Sequence, residues 1–292
     1  MYKVDKFTLI EAVAVEMQKG GILDKDNVGI ICLLAPRPHV YSGRVTKLCI
    51  ATTHLLFNPK RGDVKLAQLA LLLAEIDKYA ASDIGVSESF SASENRDKYC
   101  PIILCGDMNS LPFSDCYNFL SKGMLHYVGL EKRRMSGQRE GLEQSYISYV
   151  PRDLMPPHLG ISSQCIYKYV QEERWRRANQ RHIIEHGEPI SRRPPWSTNT
   201  GVLHHALALK SAYDHFTDDR DREIEITSFH ALDYVNVDYI FYSCPGTSGS
   251  NPLILKSRFS LPSSQQCKMM SMIPNDMFPS DHFCLIARFL LK

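Results

Sequence analysis

The sequence predicts an α/β protein in which two β-sheets pack together and helices cover them. Several short apolar runs are bounded by glycine or proline, as is typical of buried strands. A strand, a polar loop and a helix follow one another twice, beginning with Val45–Thr53 and with Pro101–Leu104. The other strands and helices do not alternate strictly, and this order favours a two-sheet sandwich over a single doubly wound sheet.

The composition indicates a globular protein and excludes several classes. Of the 292 residues, 44% are hydrophobic and 23% are charged, which is ordinary for globular proteins. The formal net charge of +2 argues against nucleic-acid binding through overall charge, although it allows a local basic groove. The nine cysteines form no CxxC pair or zinc spacing, so we expect buried thiols in a reducing compartment.

The sequence also predicts the cellular location of the protein. No apolar run reaches the roughly 20 residues of a membrane span. The N-terminal residues contain no hydrophobic signal core. We therefore expect a protein of the cytoplasm or the nucleus that does not associate with a membrane.

The first third of the chain predicts a hairpin and a helix. The residues up to Lys25 have a mixed pattern that predicts no element. Gly29–Leu34 and Val45–Thr53 are rich in apolar and β-branched residues and predict two paired strands. Asp63 is the predicted N-cap of an amphipathic helix that ends near Ala81.

The rest of the chain is less regular. A polar surface insertion is expected at about 84–98, and an irregular, partly mobile excursion at about 131–210. Ser114 and Gly123 are the predicted caps of a short helix, and a further helix is expected near Tyr169–Glu185. Three later strands are predicted at Val237–Tyr242, Leu253–Phe259 and Phe283–Leu291.

Polar side chains lie within or at the ends of these strands, and we expect them to form one site. The five candidate catalytic residues are His54, Asp107, Asn109, Asp238 and His282. Beside Asp238, His282 would be kept cationic and would stabilise charge on a phosphoryl oxygen. Asp107 could orient and deprotonate water, while Asn109 and His54 donate hydrogen bonds to phosphate oxygens. This set predicts a hydrolytic phosphoesterase.

A metal ion fits this chemistry, and Asp281 is the candidate metal ligand. Such reactions usually need Mg²⁺ to neutralise the phosphate. Each residue also has a structural interpretation: Asp107 with Asn109 could form only a turn, and Asp238 could be a buried structural carboxylate. The basic run Arg174–Arg177 is more typical of a solvated helix surface than of an RNA contact.

Four motifs resemble the endonuclease/exonuclease/phosphatase superfamily in order and spacing. They are Thr52–Leu55, Gly106–Ser110, Val237–Phe241 and Ser280–His282. Within it, Asp63–Leu66 is similar to the branch of the cytoplasmic deadenylases, nocturnin and the Angel proteins. Asn58–Leu69 and Pro156–Ser162 resemble the Angel proteins most. The resemblance covers nearly the whole chain.

The resemblance implies both a fold and an activity. The fold would be a four-layer α/β/β/α sandwich, with residues 1–292 forming the C-terminal part of a single domain. The activity would be Mg²⁺-dependent hydrolysis at an RNA 3′ end, which for Angel-like proteins is removal of a 2′,3′-cyclic phosphate. The implied roles are a water-orienting base, Asp107; a pair at the scissile phosphate, Asp238 and His282; and substrate ligands His54, Asn58 and Asn109.

One departure from the superfamily pattern concerns the start of the chain. Members begin with a strand that carries an asparagine and then a Gln-Glu whose glutamate binds Mg²⁺, and Met1 lies apparently downstream of both. We expect a fragment or alternative product of a longer protein, in preference to a member that has lost its metal ligand. The first strands of the sandwich would then be missing, with exposed apolar surfaces, open strand edges and low stability.

Two other functions stay open. A 3′–5′ poly(A) exoribonuclease, or deadenylase, would need adenine-stacking groups, which cannot be identified among Tyr117, Tyr213 and Phe216. A catalytically inactive module could bind RNA or a translation or RNA-processing factor, and the absent glutamate favours this alternative. The oligomeric state is not predicted.

Overall fold

The computed structural model describes residues 1–43, 45–81, 99–139, 146–191, 193, 196–217, 222–230, 233–244 and 252–292. The insertion predicted at about 84–98 lies outside these residues. No helix in the described part of the chain has the length and apolar character needed to cross a membrane.

Strands predominate among the described elements. The strands are β1 (Phe7–Glu16), β2 (Val28–Pro36), β3 (Leu48–His54), β4 (Ile102–Asp107), β5 (Met124–His126), β6 (Val202–His204), β7 (Leu209–Ser211), β8 (Ser228–His230), β9 (Asp233–Val235), β10 (Asp238–Ser243), β11 (Leu253–Arg258) and β12 (Ala287–Leu291). The helices are α1 (Gly62–Ala80), α2 (Asp115–Lys122), α3 (Lys168–His186) and α4 (Ser264–Lys268).

The central sheet has six strands in the order β1-β2-β3-β4-β10-β7. Neighbouring strands are antiparallel except β3 and β4, which are parallel. The predicted hairpin of β2 and β3 is confirmed. The parallel pair is joined through α1, as a parallel connection requires a crossover.

The edge strand β1 was not predicted from its sequence pattern. Its register shifts between Leu9 and Glu11, so residues on either side of this bulge do not share one alternation. Among the ten residues of β1, Val15 alone is buried, so the periodicity that marks a half-buried strand is absent. The exposed large apolar side chains of β1 and β2 are Leu9, Ile10, Val28 and Ile30.

Helix α1 packs on the central sheet and is buried on nearly all sides, so the predicted amphipathic pattern is wrong. Even Lys65 is fully buried, because residues that follow α2 complete the same core. The predicted N-cap is also wrong: Arg61 occupies the cap and Asp63 lies in the first turn. There Asp63 pairs with Arg61 and Lys132, and its negative charge is favourable near the helix N-terminus.

Helices α2 and α3 confirm their predictions. Ser114 caps α2 by accepting a hydrogen bond from the backbone N–H of Tyr117 at 3.4 Å, and Gly123 ends it with φ of 75°. Glycine reaches this left-handed conformation without strain. In α3, Arg174 donates to Asp77 of α1 at 2.7 Å, so part of the basic run points inward.

The excursion predicted at about 131–210 contributes to the protein core. Its buried side chains, with those of α1 and the central sheet, form one cluster that includes Val150, Leu154, Ile161 and Cys165. Strands β6 and β7 also lie within it. Outside α3, its weak sequence pattern reflects short elements and not an absence of packing.

A second sheet covers part of the opposite side of the central sheet. It consists of β11 and β12, which are antiparallel, and their apolar residues cluster with Leu48, Ile240 and Tyr242 of the central sheet. The predicted β11 is confirmed, whereas β12 begins at Ala287 and not at Phe283. Helix α1, the central sheet and the second sheet thus form three successive layers of the predicted α/β/β/α arrangement.

Candidate active site

The strand order brings three of the predicted residues to one edge of the central sheet. β3 and β4 are parallel, so His54 and Asp107 end neighbouring strands and pair in register. Asp238 begins the antiparallel strand β10 and lies directly opposite Asp107. His282 reaches the same place because its backbone bridges to Ser228 at the start of β8.

The first histidine–aspartate pair joins His282 to Asp238. His282 Nδ1 lies 2.8 Å from Asp238 Oδ2, which assigns the N–H to Nδ1 and leaves Nε2 for other contacts. The hydrogen bond to Asp238 raises the pKa of His282; burial opposes this rise, and the charges of Asp238, Asp107 and Asp281 add to it. Thr227 Oγ1 accepts the backbone N–H of Asp238 at 3.1 Å and holds the start of β10.

The second pair joins His54 to Asp107. His54 Nε2 lies 3.2 Å from Asp107 Oδ2, and the side chains are 68% and 13% exposed, respectively. The other oxygen, Asp107 Oδ1, accepts the backbone N–H of Asn109 at 2.7 Å. Burial raises the pKa of Asp107, and the charge of Asp238 raises it further, against the opposing effects of Asn109, His54 and His282.

Asn109 is held in a strained loop behind Asp107. Its φ of 45° lies in the left-handed region, which asparagine tolerates better than most residues. Its side-chain Nδ2 donates to the carbonyl of Leu55 at 2.9 Å, and its own carbonyl accepts from Lys65 Nζ at 2.5 Å. These bonds fix the loop that carries the backbone donor to Asp107.

The site occupies a cleft of about 480 Å³. The lining residues are His54, Phe57, Asp107, Asn109, Gln138, Arg139, Ser228, Val235, Val237, Asp238, Asp281 and His282. Six of the seven predicted site residues therefore lie in one cleft. The exception is Asn58, whose side chain is exposed and accepts the backbone N–H of Lys60 at 2.9 Å within its own loop.

Sequence reasoning missed Gln138, Arg139 and the buried Lys65 behind them. Gln138 and Arg139 follow a turn in the irregular segment, where no periodic pattern marks them. A signal was present at Lys65, because a lysine next to the apolar residues of α1 needs a partner when it is buried. Its partners are Asn109 and Gln138.

Tyr117, Tyr213 and Phe216, among which no adenine-stacking group could be identified from the sequence, do not line the cleft. Tyr117 and Tyr213 are buried in the protein, at 8% and 3% exposure. Phe216 is also absent from the cleft lining, whereas Phe57, which is 58% exposed, lies at its edge.

The cleft can accommodate a divalent cation. Among the described residues, Asp107, Asp238 and His282 offer ligand atoms that all lie within 4.8 Å of one another. Oxygen donors suit Mg²⁺, and the carboxylates of Asp107 and Asp238 supply them. The predicted ligand Asp281 lines the cleft but is not part of this group.

Curated proteins similar to this chain cover it from end to end. It is 35% identical over 306 residues to protein angel homolog 2 of Bos taurus, an alignment that covers 100% of this chain and 53% of the relative. It is 34% identical over 341 residues to protein angel homolog 1 of Homo sapiens, which covers 99% and 49%. No family model matches the chain.

A solved structure decides the family. The structure of ANGEL2, a 2′,3′-cyclic phosphatase, in complex with adenosine-2′,3′-vanadate matches with a TM-score of 0.76 and 34% identity, over 99% of this chain and 69% of that chain. The chain belongs to the Angel family of the endonuclease/exonuclease/phosphatase superfamily. Enzymes of this superfamily generally use a divalent metal ion.

The Angel family assignment confirms the predicted resemblance and fold. The human nocturnin catalytic domain with bound sulfate shares the fold, with a TM-score of 0.51 and 17% identity over 100% of this chain and 62% of that chain. This Angel-family chain spans about half the length of the curated relatives that it matches.

Proposed function

We propose that this protein is a Mg²⁺-dependent hydrolase that removes a 2′,3′-cyclic phosphate from the 3′ end of RNA in the cytoplasm or the nucleus. The observation that carries the proposal is the placement of the His282–Asp238 pair directly across neighbouring strands from Asp107, in one cleft. The similarity to ANGEL2, a 2′,3′-cyclic phosphatase, supports the choice of substrate.

Asp107 acts as the base toward water. Burial and the charge of Asp238 raise its pKa, which makes its carboxylate a better proton acceptor than an exposed one. The backbone N–H of Asn109 holds one carboxylate oxygen at 2.7 Å. The other oxygen, Oδ2, which lies 3.2 Å from His54 Nε2, takes a proton from a water molecule as the water oxygen forms its bond to phosphorus.

His282 acts on the opposite side of the phosphorus. Its pKa is raised by the hydrogen bond to Asp238, which favours the cationic imidazole. Because Nδ1 is engaged by Asp238, Nε2–H is the donor that is available to substrate. It gives its proton to the ribose oxygen as the bond from this oxygen to phosphorus breaks.

The remaining residues bind the phosphate. Arg139 lines the cleft and carries N–H donors for non-bridging oxygens, and Asn109 adds the amide N–H that does not bond the carbonyl of Leu55. The exposed ring of His54, which contacts Asp107 through Nε2, donates to the phosphate when it turns toward it. The carboxylates of Asp107 and Asp238 would hold Mg²⁺, which when bound neutralises charge on the phosphate.

Complete removal needs two hydrolytic steps. The first opens the ring and leaves a phosphomonoester on one ribose oxygen. The second breaks the remaining bond from ribose oxygen to phosphorus and releases inorganic phosphate, leaving a 2′,3′-diol. The same base and acid serve both steps once Asp107 has lost its proton to solvent and His282 has regained one, because each step adds one water and protonates one ribose oxygen.

The test is Mg²⁺-dependent release of inorganic phosphate by the purified chain from a short RNA that ends in a 2′,3′-cyclic phosphate. We expect release that is abolished by Asp107→Asn and unchanged by Asp153→Asn, a matched change at an exposed carboxylate. Shortening of an oligo(A) RNA without phosphate release would replace the proposal with deadenylation. Mg²⁺-independent RNA binding without turnover would replace it with a binding module.

A further inference from the structure

We propose that Gln138 is a phosphate-binding residue of this cleft and that the buried Lys65 is the positioning residue that turns its amide N–H groups toward the substrate. This proposal rests on the proposed function only for the identity of the substrate. The binding of a phosphate group by Gln138 can be tested without turnover.

Lys65 is an unusual residue for its position. It lies in the first half of α1, among apolar side chains, and is 0% exposed. Burial lowers the pKa of Lys65 to about 8, against the opposing influence of Cys116 and Asp107. A lysine in such a place is costly unless its donors are used, which indicates that its bonds serve a purpose beyond core packing.

Both bonds of Lys65 lead to the cleft. Its Nζ donates to the carbonyl of Asn109 at 2.5 Å and to Gln138 Oε1 at 2.7 Å. Asn109 belongs to the loop that holds Asp107, and Gln138 lines the cleft. One buried cation thus fixes two loops that are distant in sequence and that meet at the site.

The bond also determines which way the amide of Gln138 points. An ammonium group has only N–H donors, so the atom of Gln138 that contacts Lys65 must be the carbonyl oxygen. The amide nitrogen Nε2 is therefore directed away from Lys65. Because Gln138 is half-buried and lines the cleft with His54 and Arg139, its two N–H groups are presented to a bound anion.

The chemistry suits phosphate. A neutral amide donor can bind a non-bridging oxygen without forming an ion pair with Asp107 or Asp238 in the same cleft. The hydrogen bond that the oxygen of Gln138 accepts from the ammonium group of Lys65 also polarises the amide and strengthens its N–H donors. Bonds from such donors to a charged oxygen are stronger than those between neutral groups.

The experiment measures the affinity of the full chain for inorganic phosphate by calorimetry, together with kcat and KM on the cyclic-phosphate RNA. Gln138→Met keeps the length of the side chain and removes the donors. We expect it to weaken phosphate binding by about tenfold or more and to raise KM more than it lowers kcat. Gln138→Glu should weaken binding further, because it presents an oxygen to the phosphate. Gln171→Met, on α3 and outside this cleft, is the matched control.

Lys65→Met tests the positioning role in a double-mutant cycle. If Lys65 acts through Gln138, its effect on phosphate affinity should be smaller in the Gln138→Met background, and the remainder is its effect through the Asn109 loop. Independent, additive effects would overturn the positioning role. Phosphate affinity of Gln138→Met equal to that of the unaltered chain would overturn the whole inference. Should Lys65→Met fail to fold, the two Gln138 variants still decide the binding role.

The outcomes separate this inference from the proposed function. A chain that binds phosphate through Gln138 but releases none from the cyclic-phosphate RNA would retain the inference and lose the function. Turnover that depends on Asp107 and is unchanged by Gln138→Met would retain the function and overturn the inference.

Discussion

The cleft contains two histidine–aspartate pairs that differ in burial and in direction. His282 is 33% exposed and bonds Asp238 at 2.8 Å, whereas His54 is 68% exposed and lies 3.2 Å from Asp107. In the first pair the carboxylate fixes the tautomer of the imidazole and raises its pKa. In the second pair, the buried member is the carboxylate, and its own pKa is raised.

The difference indicates that two pairs of the same residue types, histidine and aspartate, serve different chemical purposes. A more buried imidazole with a fixed partner is suited to transferring a proton in a defined direction. A buried carboxylate beside an exposed imidazole is itself the reactive group, and a solvent-exposed ion pair contributes little by itself. We therefore expect substitutions in the two pairs to have unequal effects, with the aspartate dominant in one pair and the histidine in the other.

The largest effect is expected for Asp107→Asn. The amide keeps the shape of the side chain but cannot accept a proton from water, so kcat should fall by about 10³-fold. The measurement is phosphate release from the cyclic-phosphate RNA. A loss smaller than that of the His54 substitution would show that Asp107 is not the reactive member of its pair.

His282→Gln should follow, with a loss of about 10²-fold in kcat. Glutamine can donate a hydrogen bond but cannot carry the positive charge or transfer the proton. An RNA with a better leaving group in place of the ribose oxygen should restore part of the rate, because protonation of that oxygen is the lost step. The absence of such rescue would contradict the role of His282 as acid.

Asp238→Asn should shift the pH profile of kcat/KM to lower pH on its alkaline side. His282 acts while protonated, so activity falls as the pH rises through its raised pKa. Removing the charge of Asp238 lowers this pKa, and the alkaline limb of kcat/KM should move to lower pH. If the alkaline limb does not move, it does not report the titration of the His282–Asp238 pair.

The smallest effect is expected for His54→Gln, at about tenfold or less. The exposed imidazole of His54 contacts Asp107 at 3.2 Å, and glutamine retains a donor for phosphate. The loss should appear mainly in KM, because His54 contacts the phosphate and is neither the base nor the acid of the reaction. A loss as large as that of His282→Gln would remove the distinction between the pairs.

Local sequence signals predicted the elements that depend on local interactions. Helix α2 begins after Ser114 and ends at Gly123, as expected. Hydrogen bonds between near neighbours in the sequence determine these two helix ends. The apolar runs of β2, β3, β4 and β10 were recognised because buried strands are rich in apolar and β-branched residues. β1 was missed, because a bulge and an exposed surface remove its alternation.

Some properties of the site could likewise be predicted from the sequence, and others depend on the tertiary structure. His54, Asp107, Asn109, Asp238 and His282 could be selected from the sequence, since each lies within or next to a marked strand or motif. The sequence could not show that Asp281 lies outside the group formed by Asp107, Asp238 and His282. Its distance from Asp107 depends on the path of the loop that carries it.

The sequence by itself determined the fold class, the family and which residue types gather at the strand ends, because these depend on short motifs and periodic burial. The tertiary structure alone decided that Asp107 lies opposite Asp238 and that Lys65 orients Gln138. Those contacts join segments far apart in the chain, and they exist only once strand order and helix packing have brought the segments together. The cost of leaving a buried charge unpaired then selects the partners.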